Sequence, residues 1–113
     1  MICSAEAVEK MISVMPAMEQ EIHRAANKSI FELIQVFTDR IKKMVAENTT
    51  EHALQLLDEL YRNGDQQLKL AIENVFIFSL ETIAALCQDI EFWPHLPPNL
   101  HHAYVHQICR SNI

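Results

Sequence analysis

The chain has 113 residues, with one glycine, four prolines, 50% hydrophobic and 21% charged side chains and a formal charge of -6. Glycine normally makes up roughly 7% of a chain and sheet proteins spend it on turns, bulges and hairpins, so a mostly β fold is disfavoured and a single all-α domain over 1–113 is expected. The apolar half disfavours disorder, and the acid excess disfavours an electrostatic binder of nucleic acid or of an anionic membrane surface.

Ser4 is placed to cap a first helix, with Glu6 in its first turn and Val8, Met11, Ile12 and Met15 spaced i, i+3, i+4, i+7. Pro16 interrupts it and suits the first position of a continuation to about Ala26, with Met18 and Ile22 inward. Ser29 and Glu32 then form a capping box ahead of Ile30, Leu33, Ile34, Phe37, Ile41, Met44 and Val45. Gln35, Asp39, Lys42 and Lys43 lie opposite, so this helix buries one side only. Asn48-Thr49-Thr50 ends it and offers caps to the next, whose inward residues are Ala53, Leu56, Leu57, Leu60 and Tyr61. Asn63-Gly64 reads as a left-handed C-cap and Asp65 as the next N-cap, which makes a helical hairpin.

The helix from Asp65 to about Gln88 carries Leu68, Ala71, Ile72, Val75, Phe76, Ser79, Thr82, Ile83 and Leu86 on one broad face. On the other side Leu70, Ile77 and Ala84 recur every seven residues, flanked by Glu73 and Glu81. A helix apolar on nearly every side is either surrounded by others or presents a partner surface. Ser79 and Thr82 can bond back to carbonyls one turn earlier and need no functional explanation. The segment from Glu91 to Asn99 holds three of the four prolines and reads as a stiff loop. Phe92, Trp93 and Leu96 are expected to fold over the end of the core. A last helix follows Pro97-Pro98 with Leu100, Ala103, Tyr104 and Ile108 inward. Five or six helices result, arranged as an irregular bundle or as a short α-solenoid of two helix pairs; no repeat motif decides between them.

Cys3, Cys87 and Cys109 are odd in number and form no C-x-x-C pair, which points to reduced thiols and a cytoplasmic protein. No apolar leader precedes Glu6, and the most apolar run, Val75 to Cys87, contains Glu81 and is too short to span a bilayer. The charge is uneven: of fifteen acids and nine bases, only Lys69 and Arg110 are bases after Asn63. A neutral or basic partner suits such a chain.

On the last helix His102, His106 and Cys109 lie at i, i+4 and i+7, a spacing at which imidazole and thiolate can hold zinc. A fourth ligand and an H-E-x-x-H arrangement are missing, so these three are a candidate strip and neither metal nor cofactor is expected. Cys109 and His106 as nucleophile and base lack a pocket, an oxyanion hole and a group to orient the imidazole. Glu73 and Glu81 are about 12 Å apart along the axis, too far for paired carboxylate catalysis. No G-x-x-x-x-G-K-[ST], G-x-G-x-x-G or G-x-S-x-G is present, and the chain does not read as an enzyme.

The stretch Ala71-Ile72-Glu73-Asn74-Val75-Phe76-Ile77-Phe78-Ser79-Leu80, with Leu96-Pro97-Pro98-Asn99-Leu100 beyond it, resembles domain-of-unknown-function family 7674, small bacterial all-α proteins. The likeness runs from about Met15 to Ile108. It implies a stand-alone cytosolic protein and brings no established activity. The same E-N-V-F-x-F-S-L helix is also similar to a helix of some small acidic immunity proteins of bacterial toxin systems. The leading reading is therefore a non-enzymatic module that binds another protein or itself, through Leu70, Glu73, Ile77, Glu81 and Ala84 or through the loop around Trp93. The alternative is an immunity-type inhibitor of a basic, nuclease-like toxin, and a third is a metal-binding sensor or small enzyme built on the last helix.

Overall fold

The computed structural model describes residues 1–44, 51–86 and 96–111, the last four by their backbone alone. Val45, the Asn48-Thr49-Thr50 caps, Cys87, Phe92 and Trp93 lie outside the described residues, as do the side chains of Ile108 and Cys109. Helix α1 (Ser4–Val14) is followed by a 3-10 turn (Pro16–Met18) and then by α2 (Glu19–Lys28), α3 (Ile30–Met44) and α4 (Glu51–Asn63). Next comes α5 (Gln66–Ala71), which runs without a break through a π turn (Ile72–Phe76) and a 3-10 turn (Ile77–Ser79) into α6 (Leu80–Leu86). Helix α7 (Pro98–Ser111) closes the chain. With 66–86 taken as one composite helix, the described residues form six helices and no strand.

Several expected boundaries are present for the expected reasons. Pro16 occupies the first position of its 3-10 turn, where a missing N–H costs nothing. The Ser29 hydroxyl accepts from Glu32 N at 3.0 Å, and the Asp65 carboxylate accepts from Leu68 N at 2.9 Å, each satisfying an amide that the helix leaves open. Ser79 Oγ donates to the Val75 carbonyl at 2.8 Å. The first cap differs: Cys3, not Ser4, is the N-cap of α1, and its side chain makes no capping bond.

Gly64 also departs from expectation. Its φ lies outside the left-handed region, so conformational freedom is not what the position needs. A Cβ there would collide with the Leu60 carbonyl oxygen and lie 2.7 Å from Leu68 Cδ2. The missing side chain lets the last turn of α4 at Leu60 and the first turn of α5 at Leu68 close on the link between them. Ile2 N donates to Asn63 O at 2.7 Å and Asp65 N donates to Ile2 O at 3.0 Å, making one parallel bridge between Ile2 and Gly64. Ile2 is buried by this stitch, which anchors the start of α1.

The core is one cluster. Met11 from α1, Ile22 from α2, Leu33, Ile34, Phe37 and Ile41 from α3, Leu57 and Leu60 from α4, and Leu68, Ile72, Phe76 and Ile83 from the composite helix are fully enclosed. Helix α3 packs against α2 and the composite helix, while α1 packs against α2 and α4. Helix α1 thus packs on α4 as well as on α2, outside either of the helix pairs that a short solenoid would stack, and the radius of gyration, 13.4 Å, is that of a compact domain of this length. The arrangement is an irregular bundle.

Helix α7 is tethered to α4 by one carboxylate. Asp58 Oδ1 accepts from the backbone amides of Asn99 and Leu100 at 2.9 and 3.0 Å, and its Oδ2 accepts from Asn99 Nδ2 at 3.0 Å. The side chain of one helix thus caps the N-terminus of another, forty-one positions away. Pro98 takes the first helical position, the Pro97 carbonyl accepts from His101 N, and Leu96 and Leu100 are buried on either side.

Candidate functional site

The composite helix decides most of the candidate residues. On a regular α-helix Leu70, Ile77 and Ala84 would form one outward strip, but Ile77 is only 1% exposed and belongs to the core. Ala84 is half-buried against that core, and Leu70, at 41%, is the one open member. The expected partner stripe does not exist, and Ile77 is corrected from surface to core. The cause is the π turn at Ile72–Phe76: its i→i+5 bonding takes one extra residue into the turn, so the residues beyond it are displaced by about 100° from the α-helical register. The 3-10 turn after it, right-handed like the rest but wound more tightly, advances the register and restores part of it. The same slip leaves Thr82 and Leu86 exposed, although a regular helical wheel puts both inward. It also turns Phe78 out to 78% exposure; on an ideal wheel Phe78 falls between the two faces and carries no signal.

Glu73 and Glu81 are not idle flanking charges. Glu73 Oε1 accepts from Tyr61 Oη at 2.9 Å and Glu81 Oε1 from Tyr104 Oη at 3.1 Å, so the composite helix is fastened to α4 by one pair and to α7 by the other. Burial and the neighbouring Glu73 carboxylate hold the Tyr61 phenol neutral and push its pKa up to about 12. Tyr104 is raised in the same direction, by burial first and then by Glu81.

Two groups of candidates that are remote in sequence meet in space. A cleft of about 690 Å³ is lined by Tyr61 from α4, Glu73, Asn74 and Ile77 from the composite helix, and His102 and His106 from α7. Glu73 is the one acid on its walls among the described residues. Both histidines are exposed. Among the described residues no three His, Cys, Asp or Glu side chains are grouped to hold a metal ion; Cys109 falls outside that statement.

Leu70 belongs to a different surface. Together with Phe31, which is 44% exposed, it lines a groove of about 520 Å³ walled by the start of α1 at Ala5 and Val8 and by the α2–α3 junction at Ala26 and Ile30. Phe31 escapes the sequence reading because it lies one residue beyond Ile30, off the regular apolar face of α3. No helix among the described residues is long and apolar enough to cross a membrane.

Both segments that carry the family resemblance have structural work. Residues 71–80 build the π and 3-10 turns, and residues 96–100 form the start of α7 that Asp58 caps. No curated protein and no solved structure matches the chain. The sequence model of a domain of unknown function, DUF7674, matches residues 8–110. That match covers nearly the whole bundle, including the π turn, the Asp58 cap, the cleft of Glu73, His102 and His106 and, apart from its edge at Ser4 and Ala5, the groove of Phe31 and Leu70, and the chain therefore belongs to this family of unknown function.

Proposed function

We propose that this protein is a binding module without chemistry of its own, which takes an apolar segment with basic flanks from another protein into the groove of Phe31 and Leu70. The observation that carries this reading is that these two large apolar side chains, from α3 and α5, are both open to solvent on the same concave surface. Isolated exposed apolar residues are ordinary, whereas two that share a groove form a place for a partner's side chain. The charge of -6 favours a basic partner by long-range attraction. The Glu73–Ile77 surface has no part in this reading, because Ile77 is core. An inhibitor of a basic toxin would be a special case of the same binding mode, and cytoplasmic residence would suit the exposed, free Cys3.

The test is a panel of amphipathic helical peptides with identical apolar faces and either basic or acidic flanks, titrated against the chain and against a Phe31→Asp/Leu70→Asp variant. Binding of the basic series alone, lost in a variant that keeps its helicity and melting temperature, supports the reading. Equal binding of both series, or binding unchanged in the variant, overturns it.

A further inference from the structure

We propose that His102 and His106 form an open site for a divalent transition-metal ion at the cleft between α7 and the composite helix. The two imidazoles are one turn apart on α7, the spacing at which a pair of helical histidines chelates a single ion. Both are exposed, and both line the cleft whose walls also carry Glu73. Neither imidazole has a hydrogen bond or ion pair among the described residues, which leaves a ring nitrogen of each to coordinate; His23, by contrast, faces Glu19 at 3.9 Å. A cleft lined mainly by polar groups is a poor fit for a drug-like organic ligand, which wants an apolar lining with few polar anchors.

The choice of ion is set by the donors. Two neutral nitrogen ligands favour borderline ions, Ni²⁺, Cu²⁺ and Zn²⁺, over the oxygen-seeking Mg²⁺ and Ca²⁺. With no third protein ligand grouped nearby among the described residues, water fills the remaining positions, the pattern of an exchangeable site. Glu73, oriented by Tyr61 through one carboxylate oxygen, keeps its other oxygen available to accept from an ion-bound water. Both ligands sit on one helix, so the ion cross-links nothing and the bundle does not require it to fold. This site is independent of the Phe31–Leu70 groove.

The experiment is calorimetric titration of the tag-free, full-length chain with Ni²⁺, Zn²⁺ and Mg²⁺. One Ni²⁺ or Zn²⁺ per chain and no Mg²⁺ are expected. His102→Ala and His106→Ala should each weaken binding by more than about tenfold. His101→Ala and Cys109→Ser should leave it unchanged. Because His102 and His106 are exposed, both variants should keep the wild-type circular dichroism. Absence of saturable binding overturns the proposal, as does binding that survives both alanine variants or falls only in His23→Ala. Loss on Cys109→Ser overturns it too, since a thiolate would then complete a closed site.

Discussion

Removing the Asp58 carboxylate is the most direct test of how the bundle is closed. Asp58 accepts three hydrogen bonds, two of them from the first amides of α7, which no intrahelical carbonyl can satisfy. Loss of an N-cap costs about 0.5–2 kcal/mol, and each hydrogen bond to a charged group contributes about 1.5–3 kcal/mol when it is well shielded. The site is only partly buried, so water replaces some of what is lost, and Asp58→Ala should destabilise by about 2–3 kcal/mol. For a domain of this size that is a fall in melting temperature of roughly 8–12 °C. Asp58→Asn keeps a carbonyl oxygen for the two backbone amides and should lose about half as much, because the Asn99 side-chain amide can turn its oxygen toward the new NH₂ group. Urea unfolding followed by circular dichroism gives the free energies. Hydrogen exchange then shows where they act: amides of 99–107 should lose protection first in the alanine variant, while those of α3 keep theirs until global unfolding. A fall in melting temperature below about 2 °C, or loss of protection spread evenly over all helices, would refute the reasoning that this carboxylate docks α7.

Three further outcomes rest on burial and titration. Thr38 is completely buried and its hydroxyl has no hydrogen-bond partner among the described residues, so Thr38→Val should stabilise by about 1–2 kcal/mol in urea unfolding, and a destabilised variant would mean the hydroxyl is satisfied in solution. Ile77→Ala should cost about 2–5 kcal/mol, while Leu70→Ala should stay within about 0.5 kcal/mol, a contrast that a surface stripe would erase. The folded chain holds Tyr61 neutral to about pH 12 against 10 for the free side chain. Burial first, and then the bond to Glu73, favours the neutral phenol, so the stability it contributes is fully present below pH 10 and is lost as pH rises through 12. Stability measured at pH 9 and 11.5 should fall more in the wild type than in Tyr61→Phe, and equal falls would refute the assignment.

The local signals that proved reliable involve neighbours in the chain. The Ser29 and Asp65 caps, the role of Pro16 and the inward face of α3 at Leu33, Ile34, Phe37 and Ile41 each depend on spacings of three or four residues. Gly64 was legible as a break but not in its cause, since the atoms that forbid a side chain there, on Leu60 and Leu68, become its neighbours only once the turn is built. Ile77 failed for a different reason: a helical wheel assumes constant winding, and the π turn at Ile72–Phe76 changes it.

The functional surfaces were less legible than the helices, because each is made by elements distant in sequence. Glu73 and the pair His102 and His106 stand out in the sequence for unrelated reasons, and only the packing of α7 beside the composite helix puts them in one cleft. Phe31 and Leu70 come together through the contact of α3 with α5, and Asp58 finds Asn99 and Leu100 through the contact of α4 with α7. By itself, then, the sequence determined the class of fold, the positions of most helix ends and the shortage of flexible backbone, because scarce glycine, caps and periodicity act over a few residues. The tertiary structure decided which apolar residues are core, which acids bond tyrosines, and which histidines share a cleft. Those outcomes depend on the winding of one irregular helix and on which helices pack side by side, and a short-range pattern contains neither.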